Sequence, residues 1–238
     1  MLPAIIGTLS SLGTAISAAA ATVGGAVSSF MATVGPTIAT TLEAIKPIAE
    51  AISRFATAFL QSLSILKPTE TVEEMGERAL QAAAQGVTLE SSDNFDDYLE
   101  KLRSVELDPD VSQKRTSQER LLAGLALSTV GIERTFNAEH GSLNGLWLLP
   151  MTNPQYFTAE RMQGLVAAVQ LGGDVLAYLN KNLSGGDARS FEKSLESAMA
   201  QSPKTNAPAA LYEALDASRE CWMEISAQVK SIESRTGA

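Results

Sequence analysis

Apolar residues recur through the first quarter of this chain in steps of three and four. Ile5, Leu9, Leu12, Ile16, Ala19, Val23, Ala26 and Phe30 form the a/d seam of helices that pack along their length. From Phe30 the step becomes four, through Val34, Ile38 and Leu42, and Gly35-Pro36 sits inside the shift. Proline lacks the amide that a helix interior needs and its ring crowds the preceding turn, so a kink is expected there. The seam then resumes over Leu42, Ile45, Ala49, Ile52, Ala56, Phe59, Leu63 and Leu66. Ile48 and Phe55 widen it to a core-facing stripe, Pro47 predicts a second bend, and Lys67-Pro68-Thr69 closes the segment.

From Thr69 onward the pattern predicts helix after helix. Thr71-Val72-Glu73-Glu74 is a capping box for a helix running to Gln85, with Gly86 just past its end. Ser92 or Asp93 caps a short helix from Phe95 to Ser104, with Phe95, Leu99 and Leu102 on one face. Asp108-Pro109-Asp110 reads as a turn. A longer helix is expected from about Ser112 to Phe136, apolar at Leu121, Leu122, Leu125, Val130 and Ile132. The one extended loop covers Asn137 to Phe157. Thr158 opens a helix to about Asn182, Ser184-Gly185-Gly186-Asp187 another to Gln201, and Ala207-Pro208 the last, ending near Ser234. No hairpin signal interrupts the series. The expected fold is all-α: a long kinked helical arm over residues 1–67 and a helical bundle over 68–238.

Charge sharpens that division. The 238 residues carry 18 basic and 27 acidic side chains, net -9, and 45% are hydrophobic. No charged residue precedes Glu43, and the segment up to Lys67 nets +1, leaving -10 for the remainder. An acidic body excludes a general nucleic-acid coat and offers no clustered Lys and Arg for reading a nucleic-acid sequence. The single Cys221 excludes an internal disulfide framework, and the single His140 argues against a zinc site or a Ser-His-Asp triad. Neither Gly172-Gly173 nor Gly185-Gly186 follows a strand or carries a Lys-Ser/Thr, so both read as helix breaks rather than phosphate loops. Asp96-Asp97, Asp108, Asp110 and Glu90 lack the twelve-residue calcium-loop pattern. No cofactor and no metal is expected.

The uncharged run is long enough to cross a bilayer, which takes about 20 residues of helix. Its Ser, Thr, Gly and Ala outnumber its Leu, Ile, Val and Phe, no basic cluster sets an orientation, and Met1-Leu2-Pro3 lacks the positive start of a secretory signal. Gly7, Gly13 and Gly24 with Ser10, Ser17 and Ser28 let neighbouring backbones approach closely. The same spacing also describes ordinary buried helices, against which the glycines weigh, at about 1 kcal/mol each in a helix interior.

A charge-poor, heptad-bearing arm on an acidic helical body resembles the tape-measure, pilot and internal DNA-ejection proteins of bacterial viruses. The resemblance rests on the pattern of residues 1–67. It implies a homo-oligomer whose arms line a tail or internal channel alongside other virion proteins. It also implies brief contact with the host membrane as the genome passes. The alternative is a secreted pore-forming or translocator protein that inserts the arm as a hairpin kinked at Gly35-Pro36. A further local resemblance lies in Gly131-Ile132-Glu133-Arg134 followed by Gly145-Leu146-Trp147-Leu148-Leu149-Pro150. It is similar to the lytic transglycosylase pattern of a catalytic Glu-Ser and a following Gly-Leu-Met-Gln-Leu-type segment. Arg134 replaces the Ser and Leu148 the Gln, and the likeness implies Glu133 as a lone general acid/base for glycan cleavage.

Overall fold

The computed structural model describes residues 25–167, 175–200 and 208–236. Among them every regular element is helical, so the fold class is all-α. The seam positions Ile5, Leu9, Leu12, Ile16, Ala19 and Val23 lie outside the described residues.

The chain enters through α1 (Gly25–Thr33), α2 (Gly35–Ala44) and α3 (Lys46–Ser62). Both junctions precede a proline by two residues. At Val34 the helical bonding nearly continues: its N–H reaches Phe30 O at 3.1 Å and Ile38 N–H reaches Val34 O at 2.9 Å. Pro36 has no amide to offer the carbonyl one turn back, so one helical bond is missing where α1 gives way to α2. Ile45 leaves the helical region altogether (φ -128°, ψ 82°), and Pro47 sits in the first turn of α3, where an amide is not missed.

α4 (Val72–Ala84) opens on the capping box, with Thr71 Oγ1 accepting from Glu74 N–H and Glu74 accepting from Thr71 N–H. It closes on Gly86 at φ 80°, where Val87 N–H bonds back to Ala82 O at 2.9 Å. After a 3-10 turn at Leu89–Ser91 comes α5 (Phe95–Ser104). Its cap is Asn94 rather than Ser92 or Asp93: Asn94 Oδ1 accepts from Asp97 N–H at 2.9 Å, and Asp93 donates its own N–H to the Asp97 carboxylate. Asp108 caps one short helix, α6 (Pro109–Ser112), in place of the expected turn. The long helix α7 (Ser117–Thr135) starts later than Ser112, on a capping box of its own from Thr116 and Glu119. α8 (Leu148–Thr152) forms inside the expected loop. α9 (Ala159–Ala167), α10 (Val175–Leu179), α11 (Gly185–Ala200) and α12 (Pro208–Thr236) complete the described order.

α7 is the axis of the fold. Every residue from Leu121 to Glu133 is buried, which requires neighbours on all sides. α4 lies along it so closely that a Cβ on Gly76 would stand 2.0 Å from Arg120 O, and one on Gly124 2.1 Å from Val72 O. α1 and α2 pack against α7, α3 against α4, α8 and α9, and α12 against α2 and α8. Phe30, Val34, Ile38, Leu42, Ile52, Phe59 and Leu66 are all buried, in one continuous core with Leu125, Trp147, Phe157 and Tyr178. Ile45 and Leu63 pack at its edge. Phe59 meets the Trp147 ring edge-on at 6.2 Å. Among the described residues the core therefore runs unbroken across the position between residues 67 and 68. From Phe30 onward the arm's stripe faces the bundle of its own chain, because an apolar stripe buries itself against the nearest apolar surface available.

Candidate functional site

The most distinctive local geometry surrounds Glu133, where α7 ends. α7 closes in a Schellman arrangement with Asn137 in the left-handed region (φ 51°): Asn137 N–H bonds to Arg134 O and Ala138 N–H to Glu133 O at 2.7 Å. The chain then doubles back over its own helix. Glu133 Oε1 accepts from the backbone N–H of Gly141 (3.0 Å) and of Leu143 (3.1 Å), and His140 Nδ1 lies 3.3 Å from Oε2. The Glu133 side chain is 4% exposed and that of His140 52%. One turn earlier on α7, Thr129 Oγ1 accepts from Trp147 Nε1 at 2.8 Å while donating to Leu125 O. Glu133 and Thr129 thus tie both ends of the 137–147 loop to α7. The carboxylate faces backbone amides rather than solvent.

The loop in turn holds the start of the described chain. Asn144, which is buried, donates its two Nδ2 hydrogens to Ser29 Oγ (2.9 Å) and Thr33 Oγ1 (3.0 Å), one turn apart on α1. Gly141, at φ 82°, lies against α1 at the same point: a Cβ there would fall 2.7 Å from Ser29 Oγ. Neither Asn144 nor Ser29 and Thr33 stood out in the sequence, because a hydrogen bond across more than a hundred residues leaves no periodic trace.

A second polar feature is a cleft of about 540 Å³ between α3, α4 and the start of α7. Lys46, Glu50 and Arg54 line it from α3, spaced four apart on one face, opposite Glu73 and the Thr116-Ser117-Gln118 turn. Ser53 donates a hydrogen bond to the Glu73 carboxylate across its floor. A third is buried: Glu77 on α4 accepts from Arg115 Nη1 (2.7 Å), Gln81 Nε2 (2.6 Å) and Ser112 Oγ (3.1 Å), which fixes α6 against α4.

Of the seam residues, Phe30, Val34, Ile38, Leu42, Ile52, Phe59 and Leu66 lie in the core, so among the described residues they face no open surface. Met223, 52% exposed on α12, is the one exposed large hydrophobic side chain among the described residues. Cys221 is half-buried on the same helix, and burial pushes its thiol up, with Glu224 adding to the shift. Among the described residues no helix is long and apolar enough to cross a membrane, and no three His, Cys, Asp or Glu side chains are grouped to hold a metal ion. No protein-family model, no curated protein and no solved structure matches this chain.

Proposed function

We propose that this chain is a structural and delivery protein of a bacterial-virus particle. Copies of it associate through the uncharged N-terminal segment to line a tail or internal channel, and the acidic helical body docks on other particle components. One observation carries the reading: no charged residue stands before Glu43, while the rest of the chain is an acidic, well-capped helical body. Two features of the body support it. Its described surface exposes a single large hydrophobic side chain, so apolar self-association falls to the residues ahead of α1. A wall without basic residues also passes DNA without holding its phosphates. The part of the uncharged run that forms α1 and α2 is already packed in the body, so the assembling role belongs to residues 1–24. Glu133 is engaged by the loop amides, which favours delivery over glycan cleavage as the role to test first.

The test compares the full chain with one starting at residue 25, by light scattering and by dye release from vesicles. Assembly and lipid disturbance by the full chain only are expected. A monomeric full chain that leaves vesicles intact would sink the proposal.

A further inference from the structure

We infer that the 137–147 loop is a latch that holds α1 against the body, and that α1 is built to swing out about the Val34–Pro36 junction. The two sides of the contact are fastened unequally. The loop is tied into α7 by buried partners, the Glu133 carboxylate and Thr129. Among the described side chains, α1 is tied to the loop through the hydroxyls of Ser29 and Thr33, both met by the single carboxamide of Asn144. Thr33 is exposed and Ser29 half-buried, so water replaces Asn144 on the α1 side at little cost. Thr33 also keeps its hydrogen bonds to Ser29 O and Phe30 O, which are internal to α1 and travel with it. Gly141 lets the loop close on Ser29 without a side chain between them. At the other end Pro36 withholds one amide from the α1–α2 junction, which keeps the bonds from Val34 N–H to Phe30 O and from Ile38 N–H to Val34 O.

Opening the latch exposes Phe30 and Met31, buried side chains that only another apolar surface stabilises. α1 therefore moves when a lipid surface is offered, which suits a segment with no charged residue before Glu43; association with a second copy is the alternative outcome, read from the mass. α1 then adds its nine residues to the uncharged segment ahead of it. The role of the latch in delivery rests on the proposed function; its existence does not.

The experiment uses the full chain and two variants, Asn144→Ala and the pair Ser29→Ala/Thr33→Val. The second leaves the loop untouched, should the first disturb it. Amide hydrogen exchange over residues 25–33 is expected to quicken about tenfold in both, with α4 and α7 unchanged. Vesicles of zwitterionic lipid are expected to release dye at lower protein concentration. Unchanged exchange over 25–33, or equal acceleration of α4 and α7, would overturn the latch. Faster exchange over 25–33 with no dye release and a monomeric mass would keep the latch and remove the delivery role.

Discussion

Glu133 shows how one buried side chain organises a stretch of chain that the sequence pattern leaves without structure. Its carboxylate satisfies the amide of buried Leu143 and that of half-buried Gly141, which would otherwise stand unpaired in the loop. Replacing it with Ala removes the one oxygen, Oε1, that accepts from both amides, at about 1–3 kcal/mol for each orphaned group, so Glu133→Ala is expected to cost about 3 kcal/mol in urea unfolding. Glu133→Gln keeps one acceptor oxygen and is expected to cost about 1 kcal/mol. Equal losses for the two variants would mean that the amides are not what the carboxylate serves.

Arg103 on α5 makes a comparable tie in a different currency: Nε and Nη2 grip the two oxygens of Glu70 at 2.8 and 3.0 Å, and Nη2 also reaches Ile65 O. That hydrogen bond holds the Glu70 carboxyl below its ordinary range, against the opposing effect of partial burial. Because the folded value lies below the unfolded one, the stabilisation is present above the ordinary glutamate range and is lost as pH falls through the folded value. The fall in urea midpoint between about pH 6 and about pH 3 is therefore expected to be shallower in Glu70→Gln than in the parent chain. A parallel fall would place the acid sensitivity elsewhere.

At the scale of elements, the contact between α4 and α7 reverses an ordinary rule. Gly→Ala inside a helix normally stabilises by up to about 1 kcal/mol. Here the added Cβ meets backbone, which cannot rotate away: Arg120 O at 2.0 Å and Gly124 N at 2.6 Å from Gly76, and Val72 O at 2.1 Å from Gly124. Gly76→Ala and Gly124→Ala are each expected to destabilise by about 2–4 kcal/mol, measured by thermal or urea unfolding, as the two helices are forced apart. Gly186→Ala on α11, whose nearest neighbour is 3.8 Å away, serves as the control and is expected to be neutral or mildly stabilising. A small effect at Gly76 would show that the helices separate readily.

What the sequence revealed at this scale follows the range of each interaction. The box at Thr71 and Glu74 was legible because both partners lie within four residues. The Asp108 cap and the Thr116-Glu119 box are local as well, yet Asp108-Pro109-Asp110 reads equally as a turn, and the wholly polar run from Ser112 to Arg120 gives no apolar period to place the start of α7. α8 was hidden in a loop because its Leu148-Leu149-Pro150 start gives no helical period in so few residues. The clasp of Asn144 and the approach of Gly76 to Gly124 depend on residues far apart in sequence, and nothing near either one announces its partner.

For the whole molecule, the decisive point is where the second half of the arm goes. The spacing from Phe30 to Leu66 groups apolar residues into one stripe, but periodicity does not say whether that stripe meets a second copy, lipid or its own chain. In the structure it meets its own chain, and Phe30, Ile38, Leu42, Ile52, Phe59 and Leu60 are each no more than 1% exposed. Burial of a large apolar side chain is worth about 1.5–3 kcal/mol, so these six together contribute on the order of 10 kcal/mol. That matches the whole net stability of an ordinary domain, about 5–15 kcal/mol. A fragment of residues 68–238 is therefore expected to lose cooperative unfolding and to bind a hydrophobic dye, since the face of α7 that α1 and α2 cover would stand open. A fragment of residues 25–238 keeps all six side chains and is expected to unfold cooperatively, near the midpoint of the full chain. If 68–238 instead unfolds sharply at the full chain's temperature, α1 to α3 are removable cladding. The acidic body would then be a domain in its own right, and the reach of the uncharged arm would be 67 residues rather than the part ahead of α1.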